Sequence, residues 1–238
     1  MTDWKKLRHA HGSAEDLPKI LKEIKPDRKA PVWDELWQRV CHQGTTYSAS
    51  PAILPFLLTT ASGWAPSERA MAPSLAGAIV AAKESNLAGY ESSVEALHLL
   101  AVDTLKSREL SRADRVYVMQ SVLAMEGNRL WGRVLDNLNH GEFSGLCSAC
   151  RTDLYLAVGE FGFFCTTEEW VGNPDARRTP ILPGKAEELT PPGKWLCEVC
   201  VNSGDPALGE WICHLFGAST CPACGEPLDV ASAVAEIH

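Results

Sequence analysis

Two Cys-x-x-Cys pairs lying far apart constrain this chain more than any other feature: Cys147 with Cys150 in "GLCSACRTD", and Cys221 with Cys224 in "STCPACGEPLDV". Four thiolates arranged as two pairs are the donor set of a closed tetrahedral structural site, and one Zn2+ is the ion expected there. Two turns about seventy residues apart must then meet in space. Closing so long a loop costs chain entropy, and structural zinc binding supplies on the order of 10 kcal/mol in small domains, so the ion is expected to be a folding element. Four sulfur ligands leave no position for water or substrate, which argues against hydrolytic zinc chemistry.

A third pair, Cys197 with Cys200, competes for the ion, and local chemistry ranks the three. A zinc knuckle needs a tight turn and favours a residue able to take positive φ just after its second cysteine. "CPACG" supplies Pro222 and Gly225. "CSACR" lacks the glycine, but the alternation in "TDLYLAVGEFGFF" predicts the hairpin that follows a zinc-ribbon knuckle. Around the third pair, Trp195, Leu196, Val199 and Cys200 form one helical stripe and Leu208, Trp211, Ile212, Leu215 and Phe216 another, with "SGDP" as the turn between. These cysteines therefore read as packing residues. Pairing with Cys197 and Cys200, a second site using Cys165, Cys213 or His214, and a redox dithiol after Trp195 remain open alternatives.

The chain of 238 residues can bury one large core or two smaller ones. No apolar run has the length of a signal peptide or a membrane span, and nine cysteines are an odd number for a disulfide framework, so a reducing cytoplasm and no membrane are expected. Charge is uneven. Up to Gly145 there are 17 Lys and Arg against 17 Asp and Glu, while from Leu146 onward the numbers are 5 and 13. A zinc tetrathiolate adds roughly two further negative charges. Such a surface repels phosphate backbones and favours a protein partner, a basic one above all.

Before the first knuckle the pattern is helical. "EDLPKILKEI" around Pro18 and "AILPFLLTTA" around Pro55 look alike at an offset of 37 residues, and between them Val32, Trp33, Leu36, Trp37 and Val40 fall at helical spacing. Further periodic segments follow, with Ser67 and Ser111 as helix-start signals. The expected fold class is mainly α: a helical-repeat α-solenoid over residues 1–144, then a small C-terminal zinc-ribbon β-hairpin module over 145–238, split by a helical insertion.

The stretch "HQGTTYSASPAILPFLL" resembles bacterial HEAT-like repeat proteins in which an HQGTxYxAS segment precedes a proline-containing apolar helix. The resemblance covers roughly the first 140 residues and implies a scaffold that binds a partner. His42, Gln43, Thr45 and Tyr47 would line a polar patch; the competing reading is that His42 and Gly44 end one helix, Ser48 or Ser50 caps the next, and Tyr47 packs between them. No nucleotide-binding glycine motif, nucleophile elbow or metalloprotease motif occurs, and the expected role is a non-enzymatic, zinc-containing protein-binding scaffold in immunity or regulation. Two rivals remain: a nucleic-acid enzyme like the HEAT-like DNA glycosylases, gripping its substrate through Arg108, Arg112, Arg115, Arg129 and Arg133, and an accessory protein in a biosynthetic tailoring pathway.

Overall fold

Prolines set where the early helices begin. In the computed structural model, which describes residues 2–238, Pro18 and Pro55 lie in the first turns of helices α1 (Leu17–Lys22) and α3 (Leu54–Ala61), and Pro31 opens α2 (Pro31–Val40). A first-turn N–H has no partner within the helix, so proline loses nothing there. The predicted stripe of α2 is buried at Val32, Trp33, Leu36 and Val40. Helices α4 (Met71–Ala81), α5 (Glu91–Thr104), α6 (Arg112–Met125) and α7 (Trp131–Val134) follow. Two short hairpins, β1 (Arg8–His9) with β2 (Gly12–Ser13) and β3 (Cys41–His42) with β4 (Thr45–Thr46), complete a unit that runs Met1–Leu135.

Small residues organise this unit. Ala72, Pro73, Ser74, Leu75, Ala76, Gly77 and Ile79 of α4 are all buried, and α2, α3, α5, α6 and α7 pack against that helix. A Cβ on Gly77 would fall 2.4 Å from the Ser121 Cβ of α6, so only glycine lets the two backbones come this close. The helices thus gather around α4; a linear stack in which each pair touches only its neighbours is not shown. Ser111 caps α6 by accepting the Asp114 N–H at 3.1 Å, whereas Ser67 lies inside a 3-10 turn, Pro66–Glu68, ahead of α4.

The second unit, Asp136–His238, is mixed α/β and holds more sheet than the single hairpin expected. Strands β5 (Glu142–Leu146), β6 (Asp153–Gly159), β7 (Gly162–Thr166) and β8 (Thr179–Pro180) form an antiparallel sheet in chain order. Helices α8 (Gly193–Ser203) and α9 (Pro206–Leu215) come next, then a hairpin of β9 (Ala218–Thr220) and β10 (Pro227–Asp229), then α10 (Val230–Ala235). Gly204, at φ 75°, ends α8, and Asp205 starts α9 by accepting the Leu208 N–H at 3.1 Å. Because β5 belongs to the sheet, this unit begins upstream of the 144/145 break read from the sequence.

Several contacts hold the C-terminal hairpin to the sheet. Leu182 and Ala218 exchange backbone hydrogen bonds of 2.7 and 3.0 Å, Thr179 Oγ1 donates to the Thr220 carbonyl at 2.7 Å, and Gly145 of β5 faces Ala233 of α10. The roughly seventy-residue insertion is therefore woven into the unit by its own pairing.

Candidate metal centre

Each of the two outer cysteine pairs forms the tip of a hairpin, Cys147–Cys150 between β5 and β6 and Cys221–Cys224 between β9 and β10. Their backbones repeat one pattern. The Cys147 N–H donates to the Thr152 carbonyl at 3.0 Å and the Arg151 N–H to the Cys147 carbonyl at 2.9 Å; the Cys221 N–H donates to the Glu226 carbonyl and the Gly225 N–H to the Cys221 carbonyl, both at 2.9 Å. The residue after the second cysteine is left-handed in both, Gly225 at φ 81° and Arg151 at φ 60°. The missing glycine in "CSACR" thus does not change the turn; Arg151 takes the conformation at a steric cost of about 1–2 kcal/mol.

The sulfurs converge. Cys147 Sγ lies 3.9 Å from Cys224 Sγ and Cys150 Sγ lies 3.8 Å from Cys221 Sγ, and all four fall within 4.8 Å of one another. No disulfide joins them. A zinc ion with bonds of about 2.3 Å to four sulfurs sets edges of about 3.8 Å in a regular tetrahedron, so the donor set fits such an ion in number, chemistry and spacing. Cys147 and Cys221 are buried, while Cys150 and Cys224 face outward.

The electrostatics point the same way. Cys150 is pulled down to about 6, chiefly by the Thr152 hydroxyl and then by the Thr152 N–H. At Cys224 the Glu226 N–H lowers the thiol pKa, but desolvation and the three neighbouring cysteines outweigh it and carry it up to about 12. Four converging thiols cannot all ionise against one another, and a divalent cation at their centre relieves that repulsion. The two N–H groups sit at matching places, two residues beyond the second cysteine of each pair.

The competing cysteines lie elsewhere in this unit. Cys165 is a fully buried thiol of β7, pushed up to about 12 by burial and then by the Cys221 and Cys147 charges. Cys197 on α8 and Cys213 on α9 have sulfurs 3.8 Å apart, and burial, then the Cys213 thiol beside it, pushes Cys197 up to about 12; among the described residues no third ligand atom joins this pair. His214 Nδ1–H donates to the Ile181 carbonyl at 2.9 Å, and the ring stacks on Phe163 at 3.7 Å. Among the described residues, the four outer cysteines form the only group of three or more His, Cys, Asp or Glu ligand atoms this close together.

The "HQGT" segment is a two-residue hairpin turn, with Gln43 at φ 50° and Gly44 at φ 77°. Ser50 does not cap a helix by its side chain; its hydroxyl accepts the Tyr47 N–H at 2.8 Å and donates to the Val40 carbonyl at 2.5 Å, closing the hairpin onto α2. His42 and Tyr47 are half-buried and Gln43 and Thr45 exposed. Two of the five arginines in the proposed basic face are turned inward: Arg115 is buried and donates to the Leu105, Ser107 and Leu110 carbonyls, and Arg133 Nε donates to the Ala81 carbonyl at 2.8 Å. Both satisfy carbonyls at or just beyond helix C-termini.

Sequence reasoning missed β5, whose alternation "EFSGL" buries Phe143 and Gly145. A knuckle that is a hairpin tip needs a strand on each side, and that rule would have found it. No family of proteins matches this chain, and comparison with curated proteins and with solved structures finds no significant similarity. No helix among the described residues is long and apolar enough to cross a membrane.

Proposed function

We propose that the protein is a zinc-containing, non-enzymatic binding scaffold whose C-terminal unit is locked by one structural Zn2+ on Cys147, Cys150, Cys221 and Cys224. The observation that carries this reading is the pair of matched hairpin tips with sulfurs at tetrahedral edge length. An ion held by four sulfurs has no open position, which suits a structural role. Residues 136–238 hold 5 Lys and Arg against 15 Asp and Glu, a balance that favours a basic protein partner over nucleic acid. The inward-turned Arg115 and Arg133 weigh against the glycosylase-like alternative. The first unit is read as a diverged HEAT-like helical domain, supported by the proline-led helices α1 and α3 at an offset of 37 residues. Nine free thiols suit a reducing cytoplasm.

Elemental analysis of the purified protein tests the metal: one zinc per chain is expected, and none in Cys221→Ser. A metal-free wild-type protein with unaltered melting would sink the reading. Affinity capture compared with a salt-dependent duplex DNA titration tests the partner class, because only a phosphate-binding protein loses affinity steeply with salt.

A further inference from the structure

The edge of the four-stranded sheet carries a second feature, distinct from the cysteine centre. A cavity of about 390 Å³ is lined by His140, Glu142, Ser144, Phe161, Trp170 and Val171. Glu142 and Ser144 are two apart on β5, so both side chains leave the same face of the strand. Phe161 stands at the β6–β7 turn, 59% exposed, and its ring lies 2.9 Å from where a Cβ on Gly141 would sit. Gly141, at φ 74°, thus leaves room for the ring, which any larger residue there would strike. Trp170 faces Phe161 with ring centroids 5.3 Å apart and planes tilted by 59°. Two aromatic faces set at an angle form a corner.

The corner carries a negative charge. The Trp170 Nε1–H donates to Glu142 Oε2 at 2.5 Å, which fixes the carboxylate and indole together and leaves the second carboxylate oxygen for another donor. Among the described residues no Lys, Arg or His forms an ion pair with Glu142. The adjoining aromatic ring already holds a cation: Arg178 lies 4.5 Å from the Phe164 centroid, and Phe164 meets Trp170 edge-on at 5.3 Å. Val171, 70% exposed, adds an apolar lip.

We propose that this cavity binds an alkylammonium group, seated against the Phe161 and Trp170 rings with Glu142 as its counter-charge. Ring quadrupoles attract cations, and an ammonium bearing methyl or methylene groups is the cation with apolar surface to bury in such a corner. The group has two chemical sources, a small free amine such as choline or a lysine side chain, methylated or not, on another chain. Neither source depends on the metal centre, so the site stands or falls separately from the scaffold reading.

The test follows the Trp170 indole N–H by nuclear magnetic resonance in the full-length, metal-loaded protein, with its signal assigned through Trp170→Phe. Tetramethylammonium chloride is titrated to about 50 mM against the same concentrations of sodium chloride. A saturable shift with the first salt alone is expected, weakened on the order of fivefold by Phe161→Ala and more by Glu142→Gln. Val201→Ala on the exposed face of α8 should leave it unchanged. Unchanged zinc content and melting of each variant show that the fold is intact. A shift shared with sodium chloride, or one indifferent to Glu142→Gln and Phe161→Ala, overturns the proposal. A second arm titrates choline and short peptides with one unmodified or trimethylated lysine; the tighter probe names the source, and failure of all of them to displace tetramethylammonium also overturns it.

Discussion

The two units differ in what is added to their apolar cores. In Met1–Leu135, α4 and α6 approach until a single Cβ at Gly77 would collide with Ser121, and the buried apolar residues of α1 to α5 form a continuous core. Asp136–His238 also buries apolar residues, Phe143, Leu156, Val158, Leu196, Ile212 and Val234 among them, but two of its hairpins end in tips that bury little and instead bring four thiols together. Close backbone packing distributes its stability over many weak contacts, whereas a metal centre concentrates it in a few bonds. The first design is exposed to the addition of one atom; the second, if its four thiols hold an ion, is exposed to the loss of one ligand.

Loss of the ion is the largest expected effect. Chelation, or Cys221→Ser, should remove on the order of 10 kcal/mol of metal binding from the second unit and abolish its near-ultraviolet dichroism. The pairings of Leu182 with Ala218 and of Thr179 with Thr220 should then hold only residual structure. Far-ultraviolet helicity from the first unit should persist, which dichroism before and after chelation reads directly. Loss of both signals together would break the contrast.

Thiol reactivity separates the cysteines next. At pH 8 a thiol raised to about 12, as Cys197 and Cys165 are, is thiolate in only about one molecule in ten thousand. These residues should resist iodoacetamide until the pH approaches their raised values, and buried Cys41, at about 11, should resist likewise. The partly exposed Cys213 should be alkylated first, and the four knuckle cysteines only after chelation. Peptide mapping by mass spectrometry checks the order, and early labelling of Cys147 or Cys221 without chelator would argue against a bound ion.

Overpacking tests the other unit. Gly77→Ala should cost about 1–3 kcal/mol, because the added methyl meets Ser121 backbone and side chain within a rigid interface. Zinc content should stay at its wild-type value. Thermal melting paired with elemental analysis measures both, and a variant that also loses metal would show that the units do not fail independently.

How much of this was legible follows from where the information sits. The cysteine pairs could be ranked from sequence because "CPACG" carries its own turn chemistry and the helical stripes around Cys197 and Cys200 carry theirs. That "SERAMAPSLAGAIVAAKES" forms a helix was legible, but its place as the hub was not: α4 is buried nearly all round and has no polar face to say which side packs. Strand β5 was hidden because Gly141 and Gly145 read as a break, yet one admits the Phe161 ring and the other faces Ala233. Nothing in the sequence ties Trp170 to Glu142, 28 residues away; only the fold brings the two together.

The smallest effect asks whether the two knuckles, alike in hydrogen bonding, are equally at ease. Gly225 sits at φ 81° with nothing within 4 Å of its absent Cβ, so Gly225→Ala meets only the backbone cost of a left-handed alanine, about 1 kcal/mol. Arg151 already bears that cost at φ 60°, and Arg151→Gly removes it. Against the gain stand the greater chain entropy of glycine when unfolded and the ion pair from Arg151 to Glu236 at 2.5 Å, which is largely solvent-exposed and worth at most about 1 kcal/mol. Arg151→Gly should therefore shift stability by less than about 1 kcal/mol in either direction, while Gly225→Ala lowers it. Arg151→Gln keeps the strain, removes the charge and isolates the ion pair. Denaturant melts of the three zinc-loaded variants rank them, and an Arg151→Gly loss larger than that of Gly225→Ala would mean that Glu236, and with it the α10 end, leans on Arg151 far more than its exposure suggests.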